Sequence, residues 1–236
     1  MSDMRKWSES KTGWFLDRLN WQYAVKKARR EYWAARGALI DLRFGGSTFV
    51  NEPTRYPDRG VTVVQSLDYE NLAAVMRYVP IEPDDVLVDI GCATGRVINW
   101  WLASGVRNRI VGIELDPEIA SKTRRRLAGR ANVEIIAGDA AELTPRNATL
   151  CFVYNPFDGC VLRRWLGNVL KHHTANRLRV VYVYPVHLDA FAAIGNWTIS
   201  MKSIPWHDVA ICDLVQPESR GAAGTRSLVA SGESVR

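Results

Sequence analysis

The sequence predicts an α/β fold, a mostly parallel seven-stranded sheet with helices on both faces, preceded by an N-terminal helical extension. From residue 86 onward, short β-branched runs alternate with helical patterns, which is the order of a parallel sheet covered on both faces. Residues 1–46 carry a helical periodicity instead. Hydrophobic residues make up 47% of the 236 residues and charged residues 24%, a composition that excludes a fibrous or disordered chain.

The N-terminal extension, residues 1–46, is rich in tryptophan and in positive charge. Residues 1–45 hold ten Lys and Arg against five Asp and Glu, whereas the middle of the chain is neutral. Apolar residues recur at every seventh position, and Gly45-Gly46 ends the segment. We expect this stripe to be buried against the main domain or a second subunit, with a membrane surface or nucleic acid as less favoured partners. From Trp14 onward its members are Trp14, Trp21, Val25, Ala28, Tyr32, Ala35, Leu39 and Leu42.

Residues 47–216 are expected to form one domain, and residues 217–236, rich in Gly, Ser, Ala and Arg, a disordered tail. The domain begins with a loop over residues 47–67, which contains an extended piece at Val61–Val64, and a helix capped by Asp68. The predicted strands are Val86–Ile90, Arg109–Glu114, Val133–Ile136, Thr149–Tyr154, Leu178–Tyr184, Trp197–Ser203 and Asp208–Val215, with helices near 95–103, 117–128, 158–171 and 186–194.

A glycine-containing turn follows the first of these strands, from Gly91 to Gly95. Glycine permits positive φ and lets the backbone approach a ligand closely. Open α/β sheets bind ligands outside the carboxyl ends of their strands, where this turn must lie. Two more acids stand at matching places, since Glu114 ends the second strand and Asp139 follows the third. Together with Asp89 they predict a nucleotide-type binding site.

The turn Asp89-x-Gly91-x-Ala93-x-Gly95 resembles the DxGxGxG loop of class I S-adenosylmethionine-dependent methyltransferases, although Ala93 replaces the middle glycine. The resemblance covers about residues 65–215 and implies S-adenosyl-L-methionine as cofactor, with Glu114 on its ribose and Asp139 near its adenine. A nicotinamide-dependent dehydrogenase is the disfavoured alternative, because its GxGxxG turn needs a small residue where Arg96 stands. The implied cofactor-binding residues are Asp89, Gly91, Cys92, Ala93, Gly95, Glu114, Leu115, Asp139, Ala140 and Asn155.

The residues that would bind the methyl acceptor are harder to identify from the sequence. Asn155-Pro156-Phe157 is similar to the Asn/Asp-Pro-Pro-Tyr/Phe motif of amino-group methyltransferases, with one proline missing. That similarity implies that Asn155 and Phe157 position the acceptor, whereas the alternative is an ordinary turn capped by Asp158. His187, after the fifth strand, is a candidate general base, because its ordinary pKa suits proton transfer near neutrality. A loop histidine bonded to the backbone is the other interpretation.

These features predict a cytoplasmic methyltransferase that acts on an amine or hydroxyl of a small molecule. A protein or nucleic-acid methyltransferase and a non-catalytic binding module attached through the basic arm are the alternatives. The N-terminal extension is expected to form a lid over the acceptor site or to mediate a homodimer. The four cysteines show no CxxC spacing, so we expect buried thiols and no metal site. No apolar run approaches the roughly 20 residues of a membrane-spanning helix.

Overall fold

The computed structural model describes residues 3–61 and 63–215; the predicted tail, 217–236, lies outside them. The elements follow the chain as α1 (Asp3–Arg43), β1 (Asn51–Pro53), a 3-10 turn (Pro57–Arg59), β2 (Val63–Gln65), α2 (Tyr69–Met76), β3 (Val86–Ile90), α3 (Arg96–Ala103), β4 (Arg109–Glu114), α4 (Pro117–Leu127), β5 (Val133–Ala137), α5 (Ala140–Leu143), β6 (Leu150–Tyr154), α6 (Gly159–His172), β7 (Arg179–Val183), α7 (Asp189–Ala193), β8 (Trp197–Ser203) and β9 (Asp208–Leu214).

The main sheet has seven strands in the order β5-β4-β3-β6-β7-β9-β8, which confirms the predicted fold class. The first five strands pair in parallel, and β9 runs antiparallel between β7 and β8. β3 and β6 are neighbours in the sheet, and the chain passes from one half of the sheet to the other when it runs from β5 to β6. The carboxyl ends of β3 and β6 therefore flank a switch point, where open α/β sheets bind their ligands.

The sheet buries both faces because its strands are almost wholly apolar. Leu87 and Phe152 point into one core layer, and their neighbours Val88 and Val153 point into the other. The first layer is closed by α2, α3 and α4, the second by α5, α6 and α7. Four of these helices begin on an aspartate whose carboxylate accepts a backbone N–H of the first turn, namely Asp68, Asp116, Asp139 and Asp158.

Helix α1 has 41 residues, which corresponds to about 62 Å at 1.5 Å per residue. Its C-terminal half contacts the domain through Trp33, Gly37, Ile40 and Asp41, followed by Phe44, and through the ion pair of Arg29 with Glu70. The apolar stripe does not pack on the main domain, and a second subunit, the other partner expected for it, stays a prediction. Its members within the described side chains are all exposed, namely Trp21, Val25, Ala28, Tyr32, Ala35, Leu39 and Leu42.

Smaller predictions need correction as well. The last predicted helix is shorter, Asp189–Ala193, and the loop before α2 contains a small hairpin, in which β1 pairs with β2. Helix α5 was not predicted, because its four residues are too few for a periodic pattern. Three cysteines are buried as expected, but Cys160 is exposed on α6. Within the described residues, no helix is long and apolar enough to cross a membrane.

Candidate active site

A cleft of about 900 Å³, open solvent at its mouth included, lies across the carboxyl ends of β3, β4, β5 and β6. The hairpin and the segment before α2 form its outer wall. Of the predicted site residues, Gly95, Asn155 and His187 do not line it. The cleft brings together the others, which are Asp89, Gly91, Cys92, Ala93, Glu114, Leu115, Asp139, Ala140 and Phe157.

The turn after β3 is bent so that its backbone faces the cleft. Gly91 has a φ of 71°, and a side chain there would place its Cβ 2.8 Å from the Cβ of Pro156, so only glycine fits at this approach of two strand ends. Ala93 also has a positive φ, 45°, which costs an L-residue about 1–2 kcal/mol. Glu114 and Thr123 hold it there, because Ala93 N donates to Glu114 Oε2 (2.8 Å) and Thr123 Oγ1 donates to Ala93 O (3.0 Å).

Two carboxylates, Asp89 and Glu114, are buried together at the base of the cleft. Burial and then the charge of Glu114 raise the pKa of Asp89 to about 8. Burial likewise raises the pKa of Glu114, against the opposing effect of the N–H groups of Asp116 and Ala93. Asp89 Oδ2 has no hydrogen-bond partner among the described residues. A buried oxygen in this state favours a ligand that brings a donor or a positive charge.

The carboxylate of Asp139, after β5, is already engaged on both oxygens. Its Oδ1 accepts Ala141 N (2.9 Å) and so caps α5, and its Oδ2 accepts Arg164 Nη2 (2.6 Å). Arg164 on α6 also lines the cleft, and sequence analysis missed it. No local signal reveals this pair, because 25 residues separate its members.

The end of α1 braces the glycine turn from behind, through two arginines. Arg96, which also lines the cleft, pairs with buried Asp41 (Nη1 to Oδ2, 3.2 Å) and lies over the ring of Tyr69. Arg126 donates to the carbonyls of Thr94, in the turn, and Phe44, just after α1. We call this set of contacts the arm brace.

Hydroxyl groups complete the arm brace. Asp41 Oδ1 accepts the hydroxyls of Tyr69 (2.7 Å) and Thr48 (2.8 Å). Burial and the bond to Asp41 raise the pKa of Tyr69 to about 12, so this phenol stays protonated as a donor. Thr94 Oγ1 donates to Thr48 O (2.6 Å), which ties the turn directly to the segment after α1.

The turn after β6 holds the predicted acceptor residues in two different environments. Asn155 has a φ of 39°, and its Oδ1 accepts the hydroxyl of buried Tyr182 (3.2 Å) on β7. Phe157 is buried beside Trp165 and lines the cleft. Its backbone forms a β-bridge with that of Val61, and this bridge joins the outer wall to the sheet.

Two histidines lie near this end of the sheet. His187 packs against the start of α6, where its Nδ1 would lie 3.2 Å from a Cβ on Gly159. His207, in the turn between β8 and β9, lies beside Tyr154, whose ring lines the cleft. The hydroxyl of Tyr154 is 3.3 Å from His207 Nε2. Burial lowers the pKa of His207, partly opposed by the charge of Asp68.

Sequence analysis missed Tyr154 and His207 as site residues. The last strand returns antiparallel beside β7 and so brings the turn before it to the carboxyl end of β7. Tyr184 N donates to Asp208 O (2.9 Å) at that point, directly after His207. Neither the antiparallel insertion nor the contact over 53 residues can be derived from local patterns.

Part of the chain that forms this cleft matches a known protein family. Residues 87–174, from β3 into the loop after α6, match the family model described as a methyltransferase domain. This segment is a class I methyltransferase domain. The match contains the glycine turn, Glu114, Asp139 and the turn after β6, but neither the arm brace residues before β3 nor His207.

Individual relatives resemble parts of the chain. The ornithine lipid N-methyltransferase of Singulisphaera acidiphila is 35% identical over 71 residues, which are 29% of this chain and 36% of that protein. An RNA methyltransferase from Salinibacter ruber, solved with S-adenosyl-L-homocysteine, superposes with a TM-score of 0.51 at 23% identity over 65% of this chain and 97% of its own. The pyocyanin biosynthetic protein PhzM gives 0.51 at 17% over 62% and 55%. Both structures share the fold, and this chain spans about a third of the ornithine lipid enzyme.

The residues of the methyltransferase domain fit S-adenosylmethionine, the cofactor of this class. Asp89 Oδ2 is a buried acceptor without a partner, suited to a cationic ligand with N–H donors. Each oxygen of Glu114 accepts one backbone N–H and keeps a lone pair that a ribose hydroxyl can use. Gly91 and Ala93 line the cleft at the turn after β3, where a ligand meets glycine and alanine rather than larger side chains.

Proposed function

We propose that this chain is an S-adenosylmethionine-dependent methyltransferase that acts on an amine or hydroxyl of a small molecule. The observation that carries the proposal is the buried pair Asp89 and Glu114 beside the glycine turn, with Asp89 Oδ2 lacking a partner among the described residues. A buried acid without a partner is costly, and a cationic ligand offsets that cost. The similarity to an ornithine lipid N-methyltransferase supports an amine as the acceptor.

In this proposal the cofactor is held along the carboxyl ends of three strands. Asp89 and the backbone of the glycine turn hold its methionine part, Glu114 its ribose, and Leu115 with Ala140 the adenine. When bound, S-adenosylmethionine supplies a methyl group on a positively charged sulfonium, which makes that carbon electrophilic. The chain then has to align the acceptor with this carbon and exclude water from it. Phe157 and Tyr154 give that part of the cleft an aromatic wall.

An amine acceptor arrives mostly as an ammonium ion near neutral pH, and its nitrogen must lose a proton before it can attack. Tyr154 and His207 supply a path for that proton. The Tyr154 hydroxyl takes up the ammonium proton as its own proton passes to His207 Nε2, 3.3 Å away. The lowered pKa of His207 keeps its imidazole neutral and able to accept. His207 also lines an open groove on the outer side, where it can release the proton to solvent.

In this proposal Asn155 acts on the acceptor only through its neighbours, and His187 is the less favoured candidate for the base. The bond between Tyr182 and Asn155 fixes the turn after β6, and through it the position of Pro156 and Phe157. His187 packs against the start of α6, so a role as general base requires the acceptor to reach beyond the lining residues of the cleft.

Two experiments test this function. Thermal unfolding with S-adenosylmethionine, its demethylated product or NADH should show stabilisation by the first two only, about 2.7 kcal/mol at a hundredfold excess over Kd. No stabilisation by either at millimolar concentration would refute the cofactor assignment. Methyl-labelled cofactor should then label the small-molecule fraction of a cell extract. Label in protein or RNA would support those alternatives, and label in no fraction the non-catalytic module.

A further inference from the structure

Helix α1 presents an apolar face that nothing in the described structure covers. We call it the α1 stripe: Trp21, Val25, Ala28, Tyr32, Ala35, Leu39 and Leu42. Trp21 is 70% exposed, Leu39 68% and Leu42 76%, although the last two lie within turns that pack on the domain. Soluble proteins rarely expose a continuous apolar surface of this kind without a partner.

The α1 stripe lies on the side of the helix away from the domain. The contacts to the domain come from Trp33, Gly37, Ile40 and Asp41, on one face of the helix. At the border of that face, Arg29 pairs with Glu70 and Arg36 lies over the ring of Trp100. At 100° per residue, the centre of that face is roughly 150° from the centre of the α1 stripe. A partner can therefore cover the stripe along its whole length without disturbing the arm brace.

The spacing of the α1 stripe indicates what kind of partner covers it. Its members alternate at steps of four and three from Trp21 to Leu42, a strict seven-residue repeat. The sequence extends it back to Trp14, with the charged Arg18 at the position between. On a straight α-helix such a seam drifts about 20° per heptad, hence roughly 80° from Trp14 to Leu42. A flat lipid surface would lose one end of the seam, whereas a second helix that supercoils around the first keeps all of it in contact.

Charges beside the seam indicate that the second helix is a copy of the first, in parallel orientation. Arg29, Arg36 and Arg43 follow one edge of the α1 stripe, where Arg29 pairs with Glu70 and Arg36 lies over the rings of Trp33 and Trp100. Glu31 lies on the other edge. In a parallel pair, Glu31 faces the partner's Arg36, five residues further on, as flanking residues do in parallel coiled coils. An antiparallel pair would align the two arginine edges and repel. Glu31 is exposed, and its contact with Lys27 is 4.0 Å long, so it is available.

We propose that the protein is a homodimer, held by a parallel two-stranded coiled coil of the α1 stripes. The seam places Val25, Tyr32 and Leu39 at one core position of the heptad and Trp21, Ala28, Ala35 and Leu42 at the other. The two catalytic domains then stand on opposite outer sides of the coiled coil. The proposal is independent of the methyl-transfer function.

Disulfide trapping tests the register directly. In a background with the exposed Cys160→Ser, the variant Leu39→Cys should form a covalent dimer under mild oxidation, because equal core positions meet in a parallel pair. The matched control Ala34→Cys, exposed on the same helix but away from the seam, should remain monomeric on a denaturing gel. A non-covalent dimer in which Leu39→Cys fails to cross-link would overturn the parallel register.

The mass in solution tests the interface. The wild-type chain at about 50 µM should have twice the 26.6 kDa of one copy by light scattering, and Leu39→Glu should halve that mass while Ala34→Glu does not. Both residues are exposed in the single chain, so neither variant should change the melting temperature of the domain through its own packing. A wild-type monomer, including one that sediments with anionic lipid vesicles, would refute the dimer. So would a dimer that survives Leu39→Glu.

Discussion

The substitution Asp41→Asn isolates the charge in the arm brace from its shape. An asparagine can still accept the hydroxyls of Tyr69 and Thr48 on its oxygen, but its amide nitrogen then faces the guanidinium of Arg96, a donor against a donor. The Arg96 side chain is only 10% exposed, so water cannot replace the lost carboxylate. The substitution therefore leaves a buried cation without its counter-charge.

The size of the effect follows from the geometry. Two unit charges 3.2 Å apart interact by about 5 kcal/mol at an effective dielectric constant of about 20, and removal of one partner of a buried pair typically costs about 3–5 kcal/mol. Arg96 keeps its bond to Leu67 O and its contact with the ring of Tyr69. We therefore expect Asp41→Asn to lower the free energy of unfolding by about 2–4 kcal/mol.

Urea unfolding, followed by tryptophan fluorescence, measures this loss. At an m value of roughly 3 kcal/mol/M the midpoint should fall by about 1 M. The control is Glu134→Gln, which breaks a shorter pair with Arg109 (2.9 Å) whose side chains are both about half exposed (51% and 53%). This variant should cost less than about 1 kcal/mol. If Asp41→Asn unfolds within about 0.5 kcal/mol of the wild type, α1 does not brace the glycine turn by charge.

Three further substitutions test the site. The native pKa of Asp89, about 8, lies above its value in the unfolded chain, so the folded state holds the proton more tightly and this group lowers stability as the pH rises from about 4 to 8. Asp89→Asn should remove that decline. Equal pH slopes of the urea midpoints for the variant and the wild type would contradict this prediction. His207→Gln should abolish the acidic limb of the kcat/KM profile, while His187→Gln keeps it; the reverse outcome would transfer the base to His187. Asn155→Ala should lower kcat about a hundredfold with cofactor affinity unchanged, and a change of a few-fold would reduce this turn to a helix start.

The sheet was predictable because its signals are local. The bounds of β3 and β4 agree with the prediction to the residue, since β-branched runs end at Gly91 and at the acid Glu114. That Asp89, Glu114 and Asp139 line the cleft was predictable for the same reason, because each lies at or just after the end of its strand. The contact of Tyr154 with His207 joins positions 53 residues apart, and no periodicity encodes it.

The extension shows the limit of periodicity more clearly. The sequence predicts that its apolar repeat packs on the main domain or on a second subunit, whereas the residues that do pack on the domain include a glycine, Gly37, and a charged residue, Asp41. Such residues weaken the apolar pattern on the face that actually docks. An apolar stripe indicates that a helix surface is buried by a partner, but it does not identify that partner.

The arm brace means that the structural unit of this protein is larger than the segment that matches the family model. The matched segment begins at residue 87 and contains Arg96 and Arg126. Their guanidinium groups donate to Asp41 and to the carbonyl of Phe44, which both lie outside that segment. Without the residues from α1 to Thr48, these two guanidinium groups would lose those partners. Exchange of the catalytic segment between relatives should therefore succeed only when the residues from α1 to Thr48 are exchanged with it.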